Sequence, residues 1–465
     1  MSYSHAHAQP SAAARVGHAH DRPFVMIDGF NIGLAKGTGV ATYARNLSNC
    51  LRSLDYDVGI LYGGSFSAKH SQLLKEVLFF DAPSAELTPL KLALQALKAV
   101  SLPGRHNAFE VPITGAVVPD PVVSRLPDYD SIWNAPNIFV RASQRFRLLG
   151  VTSTVRPERM PNLCHWTYPL PVRVNGVPNI YTLHDLVPLR LPHTTLDQKT
   201  RYLKLVRWIC RTADHIVTVS ENSKRDIVEL LGVDPARVTN TYQAVSIPDT
   251  HMSKPEDVVR REVEGTFGLD FKEYFVFFGS IEPKKNIGRL IESYLASGVQ
   301  TPLVIVGAQA WKSEQELSLL PVSDLRAKLR PDERQRGPKI LKIEYVPYGM
   351  LINLIRGAKA TLFPSLYEGF GLPVLESMLL GTPVLTSRTS SVPEVAGNAA
   401  LLVDPYDVRD LAEGIRALDT DPELRAELAA RGRQRAGLFD EAAYSSRLAP
   451  VYESLLERKL STRAA

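Results

Sequence analysis

Short apolar runs alternate with longer amphipathic stretches in both halves of the chain. The runs that predict strands are FVMID (24–28), DVGILYG (57–63), NIYTLHD (179–185), HIVTVS (215–220), YFVFFGS (274–280), PLVIVGA (302–308), KILKIEYV (339–346), ATLFPS (360–365) and PVLTS (383–387). Between them, residues 40–54 and 221–233 repeat apolar positions at helical spacing, and Ser220 precedes the second stretch as a helix cap. The alternation predicts an α/β fold with two Rossmann-like, doubly wound parallel sheets.

The same pattern divides the chain into predicted parts. These are a disordered tail (1–22), an N-terminal Rossmann-like domain (23–250), a linker without a strand-like run (251–272), a C-terminal Rossmann-like domain (273–440) and a final helix (441–465) that contains Pro450. Two further segments lie within the predicted N-terminal domain. Residues 84–104 predict a helix, whereas residues 105–160 are rich in Pro and Arg and are left unassigned.

One predicted strand–turn–helix unit has the features of an anion site. Gly369 and Gly371 follow the strand ATLFPS and permit a close approach of the backbone, and Pro373 suits the first turn of a helix. Free amides and the positive end of the helix dipole favour a phosphate at such a position. Many α/β proteins have a similar turn without a ligand, so the local pattern alone leaves both interpretations open.

Two glutamates flank this turn. Glu376 lies about one turn inside the predicted helix, where a carboxylate can accept two hydrogen bonds from the vicinal hydroxyls of a ribose. Glu368 lies in the turn itself, where it could hold another polyol. The pair indicates a seat for a sugar joined to a phosphate.

Composition and charge exclude several classes of protein. A chain of 465 residues is too long for one ordinary core, and 45% hydrophobic with 22% charged residues indicates a soluble globular protein. Cys50, Cys164 and Cys210 give neither a disulfide framework nor a metal-ligand spacing, so we expect a cytoplasmic protein without a metal. A net charge of +5 and a pI of about 8.9 are too weakly basic to predict a nucleic-acid partner.

The charge is concentrated in one segment, residues 139–159. It contains five arginines and a single glutamate, and Phe and Leu residues lie between them. Such a segment predicts peripheral contact with an anionic membrane surface, here the inner face of the membrane. The alternative is a solvated helix face that packs its apolar side inward.

The stretch PSLYEGFGLPVLESMLLGTPV (364–384) resembles the signature of retaining glycosyltransferases of the GT-B fold, in the large family 4, where two glutamates are separated by seven residues. Other segments similar to that family are MIDGFNIGLAKGTGVATYARNL (26–47), YTLHDLVPLRLP (181–192), FFGSIEPKKNIGRLIESY (277–294) and SSVPEVAGNAALLVDPYD (390–407). These segments follow one another along the chain in the same order as in members of the family. The resemblance implies two Rossmann-like domains facing a cleft, with the acceptor bound by the N-terminal domain and the nucleotide sugar by the C-terminal domain.

The resemblance also implies roles for individual residues. Glu376 would hold the ribose, Glu368 the hydroxyls of the donor sugar, and Lys285 the diphosphate leaving group. His184 would lie near the reacting carbon; His184, Lys285 and Glu368 are the implied catalytic residues. The remaining implied donor contacts are Gly37 and Gly39 in the first loop, Ser280, the turn residues Gly369, Phe370, Gly371 and Leu372, and Tyr345 and Val346 beside the base.

The chain departs from the family pattern at two places. Ser280 stands where many members have an arginine. Neutralisation of the diphosphate would therefore depend mainly on Lys285, helped by Lys284 or Arg289. The segment TYQAVSIP (241–248) lacks the usual glycine.

The activity implied is that of a metal-independent, retaining hexosyltransferase that needs no cofactor besides its nucleotide-sugar substrate. It would move a sugar, with mannose from GDP-mannose as the first choice, to a saccharide or lipid-linked acceptor in surface-polysaccharide or glycolipid assembly. The alternatives are a catalytically silent nucleotide-sugar-binding scaffold and a sugar-nucleotide epimerase of the same fold.

Overall fold

A computed structural model of the chain describes residues 22–32, 39–81, 104–117, 126–310 and 340–464. Two compact units are present, Met1–Ile180 with Tyr452–Ala465, and Tyr181–Val451. The division lies inside the predicted domain 23–250, whose boundaries therefore differ from those of the compact units. Gly37, residues 1–21 of the predicted tail and nearly all of the helix predicted at 84–104 lie outside the described residues.

The first unit is built on a mainly parallel sheet. Its strands are β1 (Phe24–Asp28), β2 (Asp57–Tyr62), β3 (Arg105–Val111), β4 (Ser131–Asn134), β5 (Ser153–Pro157), β6 (Leu163–Trp166), β7 (Val172–Val174) and, at the boundary of the unit, β8 (Asn179–Thr182). They follow the order β8-β6-β1-β2-β4-β3-β5-β7. The strands β1 and β2 are buried at every position, as expected for parallel strands covered on both faces.

The helices described in the first unit are α1 (Gly39–Ser53), α2 (Gln72–Phe80) and α3 (Ile138–Leu149). The region 105–160, which the sequence left unassigned, contains three of the strands and helix α3. β3 pairs with β4 in antiparallel orientation, and its first residues are exposed or partly exposed. A strand of this kind lacks the continuous apolar run that identifies a buried parallel strand.

The second unit contains a six-stranded parallel sheet. The helices and strands of the unit, in chain order, are α4 (Val187–Arg190), α5 (Lys199–Thr212), β9 (His215–Thr218), α6 (Glu221–Leu231), β10 (Val238–Asn240), α7 (Asp249–Met252), α8 (Glu256–Phe267), β11 (Phe275–Phe278), α9 (Ile287–Ser297), β12 (Leu303–Val306), β13 (Ile340–Ile343), α10 (Tyr348–Gly357), β14 (Ala360–Phe363), α11 (Leu372–Leu379), β15 (Val384–Ser387), α12 (Val392–Ala396), β16 (Leu401–Val403), α13 (Val408–Thr420) and α14 (Pro422–Ala436). The sheet consists of β11 to β16. The strand order β13-β12-β11-β14-β15-β16 reverses direction between β11 and β14. Ligands of doubly wound sheets bind at the carboxyl ends of the strands next to such a reversal.

The predicted linker 251–272 is instead a folded part of the second unit. Helix α8 packs Val259 and Val263 into the same apolar cluster as Tyr274 and Val276 at the six-stranded sheet. Only two positions of α8 are fully buried, so the apolar pattern of its sequence is too weak to indicate a helix.

Two local predictions about helices are confirmed. The hydroxyl of Ser220 accepts a hydrogen bond from the backbone N–H of Ser223 at 3.0 Å and caps α6. The final helix, α15, extends over Glu441–Ala464 with Pro450 inside it. None of the helices in the described ranges is long and apolar enough to cross a membrane.

Candidate functional site

The glycine turn lies directly between β14 and α11. Gly371 adopts a φ of 109° immediately before α11, and Pro373 occupies the first turn of that helix. A Cβ atom on Gly369 would lie 2.7 Å from the carbonyl oxygen of His184, so only glycine fits at this position. The strand–turn–helix interpretation of the sequence is therefore confirmed, and the turn contacts the backbone of the predicted histidine loop.

Two serines fix the backbone of the turn. The Oγ atom of Ser390 accepts the backbone N–H of Glu368 at 3.0 Å. The hydroxyl of Ser391 lies 2.9 Å from the carbonyl oxygen of Glu368 and 3.0 Å from that of Phe370, to which it can donate. These supports come from a segment 22 residues further along the chain. The local sequence gives no signal that connects these serines with the turn.

The side chains of Lys285 and Glu368 form a buried ion pair. Lys285 ends a short 3-10 turn after β11, and its Nζ atom lies 2.5 Å from Oε1 of Glu368. Only 11% and 8% of the two side chains are exposed. Burial acts to raise the pKa of Glu368, but the charges of Lys285 and Lys284 outweigh burial and lower the pKa below its usual value. Glu368 is thus ionised at neutral pH, and two residues predicted for separate roles contact each other.

Lys284 provides a second positive charge beside this pair. Its ammonium lies 3.5 Å from a carboxylate oxygen of Glu282. Burial acts to lower the pKa of the ammonium, but three nearby carboxylates outweigh burial and hold the pKa above its usual range. They belong to Glu368, Asp185 and Glu282. Ser280, where an arginine was expected, is exposed, so the two adjacent lysines carry the positive charge near the turn.

Asn286 ties three loops together at the carboxyl ends of the strands. It adopts a φ of 62° and its side-chain amide donates to the carbonyl oxygens of Pro364, at 3.1 Å, and Pro405, at 2.7 Å. The two prolines follow β14 and β16, whereas Asn286 directly follows Lys285. The amide therefore fixes the lysine relative to the glycine turn. Nothing in the local sequence distinguishes this asparagine from an ordinary helix-cap residue.

Glu376 has a different environment from Glu368. It lies in α11, and burial raises the pKa of its carboxyl to about 7. In the part of the chain that the structure describes, its carboxylate has no hydrogen-bond or ion-pair partner. A half-buried carboxylate without a partner can accept hydrogen bonds from a ligand diol.

The other sequence-predicted site residues are placed as follows. His184 is half-buried, and its carbonyl oxygen accepts the hydroxyl of Ser223 at 2.9 Å. Tyr345 is 73% exposed after β13, whereas Val346 is buried in the apolar cluster of the second sheet. Phe370 is 3% exposed, and its carbonyl oxygen accepts the hydroxyl of Ser391. Gly39 is the first residue of α1 in the first unit.

A hydrogen-bond network joins the glycine turn to the start of α6. The carboxylate of Glu394 accepts the backbone N–H of Glu221 at 2.8 Å and that of Asn222 at 3.2 Å. The side chain of Asn222 donates to the hydroxyl of Tyr367 at 2.8 Å, and this hydroxyl donates to Asp226. Glu394 thereby places a negative charge at the positive end of the α6 dipole. Its partners are more than 170 residues away, so the local sequence gives no signal for this network.

Two family models match successive parts of the chain. The model "Glycosyltransferase Family 4" matches residues 37–247, and the model "Glycosyl transferases group 1" matches residues 268–435. The O-antigen chain mannosyltransferase B of Escherichia coli is 31% identical over 268 residues, which are 56% of this chain and 66% of that protein. The serotype-specific mannosyltransferase WbdA of E. coli is 26% identical over 64% of this chain and 36% of its own length. The matched part thus spans less than two thirds of these relatives.

A solved structure shares the fold over nearly the whole chain. Anabaena HepE, in complex with UDP and glucose, superimposes with a TM-score of 0.57 at 15% sequence identity, covering 93% of this chain and all of that one. At this identity the likeness shows the fold alone, which is the GT-B fold predicted from the sequence. The two family models lie one after the other along the chain, which therefore contains a glycosyltransferase family 4 domain over residues 37–247 and a group 1 glycosyltransferase domain over residues 268–435.

Proposed function

We propose that this protein is a retaining glycosyltransferase that moves a hexose from a nucleoside-diphosphate sugar to a saccharide or lipid-linked acceptor in surface-polysaccharide assembly. The observation that carries the proposal is the ion pair of Lys285 and Glu368 in front of α11, with the unpartnered carboxylate of Glu376 in that helix. Mannose from GDP-mannose is our first choice of donor. Its support is that the two relatives described above are mannosyltransferases.

The chemistry requires a stabilised leaving group. Cleavage of the bond between sugar and diphosphate leaves negative charge on the departing phosphate. The backbone amides of Gly371 and Leu372 at the start of α11, together with Lys284 and Lys285, can stabilise that charge without a metal ion. Glu376 would bind the ribose. In the retaining, front-face course that we propose, the leaving phosphate helps to deprotonate the acceptor hydroxyl.

The ion pair gives Lys285 and Glu368 a defined part in donor binding. In the free protein each neutralises the other within a buried site. A donor diphosphate would compete for the ammonium of Lys285, and the sugar hydroxyls would then donate to the carboxylate of Glu368. Because Glu368 is held ionised, it acts as a hydrogen-bond acceptor and not as an acid. We place His184 beside the donor sugar on the strength of its proximity to Gly369.

The test is consumption of a panel of nucleotide sugars by the purified protein, with and without EDTA. We expect slow hydrolysis of one donor in the absence of acceptor, unchanged by EDTA, and retention of the anomeric configuration by NMR. Binding without any turnover would favour a silent scaffold instead. Return of an isomeric nucleotide sugar would favour an epimerase, and dependence on an added divalent ion would contradict the metal-independent course.

We also propose that helix α3 contacts an anionic membrane surface. Its inward face buries Phe139 and Phe146, whereas Leu148 and Leu149 at its end are 49% and 46% exposed, beside the exposed Arg147. Exposed leucines next to an arginine suit an interface of acyl chains and anionic headgroups. Cosedimentation with phosphatidylglycerol vesicles, but not with phosphatidylcholine vesicles, is expected. Equal binding by a Leu148→Ser/Leu149→Ser variant would contradict this contact.

A further inference from the structure

Tyr242, in the segment TYQAVSIP (241–248), occupies a backbone conformation that favours glycine. It follows β10 with a φ of 56°, in the left-handed region, where a Cβ atom crowds the backbone and bulky side chains are rare. Its backbone N–H donates to the side-chain oxygen of Asn240 at 2.8 Å, and the amide of Asn240 donates to Glu221 at 3.0 Å. Hydrogen bonds thus fix a conformation that only a glycine would adopt without strain.

Left-handed backbone is concentrated around the glycine turn. Among the described residues, six other than glycine have a φ in this region, and three of them, Tyr242, Asn286 and Ser390, contact the turn or the loop that carries it. Asn286 bonds to Pro364 and Ser390 bonds to Glu368. Backbone strain of this kind clusters at ligand sites, where the surrounding structure maintains it. Asn286 and Ser390 contribute hydrogen bonds to the turn, whereas Tyr242 contributes its ring.

The ring of Tyr242 packs against the glycine turn through Phe370. The two ring centroids are 6.2 Å apart, and Phe439 completes a triangle, with its centroid 5.3 Å from that of Tyr242 and 5.6 Å from that of Phe370. The guanidinium of Arg447 lies 5.0 Å from the centroid of the Tyr242 ring, at cation–π distance. Phe370 and Phe439 are each 3% exposed, so the half-buried Tyr242 is the outer member of this aromatic cluster.

Phe370 lies between the functional parts of the turn. Glu368 comes before it, and Gly371 and Leu372 follow it at the start of α11. The hydroxyl of Ser391 donates to the carbonyl oxygen of Phe370 at 3.0 Å, so a hydrogen bond holds the main chain of this residue while ring contacts hold its side chain. Removal of the neighbouring tyrosine ring would open space beside Phe370 and let the adjoining amides change direction.

We propose that Tyr242 is a positioning residue of the donor site: its ring holds Phe370 and thereby aims the backbone amides of Gly371 and Leu372 at the donor diphosphate. Amide donors stabilise a leaving group only when they already point to the place where its charge develops. A glycine at position 242 would relieve the backbone strain but would leave Phe370 without this contact. The inference rests on the proposed function.

Two variants that both lack the ring separate positioning from stability. Tyr242→Ala keeps the strained backbone and Tyr242→Gly relieves it, so the glycine variant should have the higher melting temperature of the two. Both should nevertheless lower kcat for the nucleotide sugar that the wild type consumes, and weaken binding of GDP and UDP in calorimetry, by about tenfold. If the tyrosine only supported the fold, activity would follow stability, and the glycine variant would be the more active.

Three control variants isolate the ring contact. Tyr242→Phe keeps the ring and should retain kcat and nucleotide affinity within about twofold of the wild type. Asp55→Gly relieves left-handed backbone at an exposed turn of the first unit and should leave kcat unchanged. Trp208→Leu removes a half-buried ring from the edge-on pair Tyr181–Trp208 and should lower the melting temperature, again with kcat unchanged.

Hydrogen exchange adds a measurement that needs no substrate. In Tyr242→Ala and Tyr242→Gly the backbone amides of residues 369–372 should exchange at least about tenfold faster than in the wild type, because the turn opens locally more often. The same amides should exchange at the wild-type rate in Trp208→Leu, although that variant is less stable.

Each outcome decides the inference. Lowered kcat and faster exchange at the turn in both ring-deleted variants, with the glycine variant the more stable, support it. Wild-type kcat in Tyr242→Gly, unchanged exchange at the turn, or loss of activity in Tyr242→Phe overturns it. If the wild type consumes no nucleotide sugar, the proposed function fails, and exchange at the turn still decides whether Tyr242 orders it.

Discussion

The buried pair of Lys285 and Glu368 allows stability and catalysis to be separated by a double-variant cycle. Lys285→Met leaves Glu368 charged in a buried site, and Glu368→Leu leaves the lysine without its carboxylate. Breaking a buried pair from one side costs about 3–5 kcal/mol of the free energy of unfolding. Replacing both residues with apolar side chains removes both charges together, so the double variant should recover most of that stability.

Turnover should behave differently from stability in the same cycle. Loss of a preorganised group that stabilises the leaving phosphate raises the barrier by on the order of 3 kcal/mol, which is roughly a hundredfold in rate. The double variant cannot recover this loss, because neither side chain remains to contact the donor. Unfolding in urea and donor consumption by the folded protein measure the two quantities.

A second buried lysine in the same unit supplies the control. Lys359 is 9% exposed and pairs with Glu273 at 2.8 Å and with Asp419 at 3.2 Å. We expect Lys359→Met to lower the free energy of unfolding while turnover of the folded protein stays within about twofold. Wild-type turnover in Lys285→Met, or recovery of turnover in the double variant of the site pair, would refute the role given to that lysine.

Three further predictions concern the supports of the site and its pH dependence. Since burial raises the pKa of Glu376 to about 7, its carboxyl is protonated below that pH. The affinity for the nucleotide should therefore rise as the pH increases through about 7, and nucleotide binding should release protons, which calorimetry in buffers of different ionisation enthalpy measures. Glu376→Gln should remove both effects. Glu394→Ala removes the carboxylate that accepts two backbone N–H groups at the start of α6 and should cost about 1 kcal/mol in urea unfolding, whereas the exposed Glu413→Ala should cost almost nothing. Asn286→Gly keeps the left-handed backbone but loses the two hydrogen bonds that the amide donates and the one that it accepts from Arg289, so we expect about 2–3 kcal/mol lower stability and a reduced kcat. An unchanged kcat would show that the amide does not position Lys285.

Local signals were sufficient for many of the regular elements and for the glycine turn. The strands of the six-stranded sheet are short apolar runs, and the cap at Ser220 and the turn before α11 depend on residues close in sequence. Helix α8 was missed because few of its positions are apolar, and the edge-like strand β3 because its first residues are polar. Periodicity identifies an element only when one of its faces is continuously buried.

The contacts that build the site were not predictable in the same way. Lys285 and Glu368 are 83 residues apart, and their pairing follows from the order of β11 and β14 in the sheet. The resemblance gave each residue a separate role, but it did not indicate that they neutralise each other in the free protein. Hydrogen bonds to Ser390 and Asn286 likewise depend on which loops meet at the carboxyl edge, which a linear pattern does not specify.

The glycine turn is held at two adjacent residues by two different segments of the second unit. Tyr367 is bonded to Asn222 and Asp226 of α6, while Glu368 is bonded to Lys285. A substrate that replaces Lys285 as the partner of Glu368 therefore leaves Tyr367 anchored. The response of the turn to occupancy should be a rotation of one carboxylate and not a translation of the loop, so little of the binding free energy goes into ordering the chain.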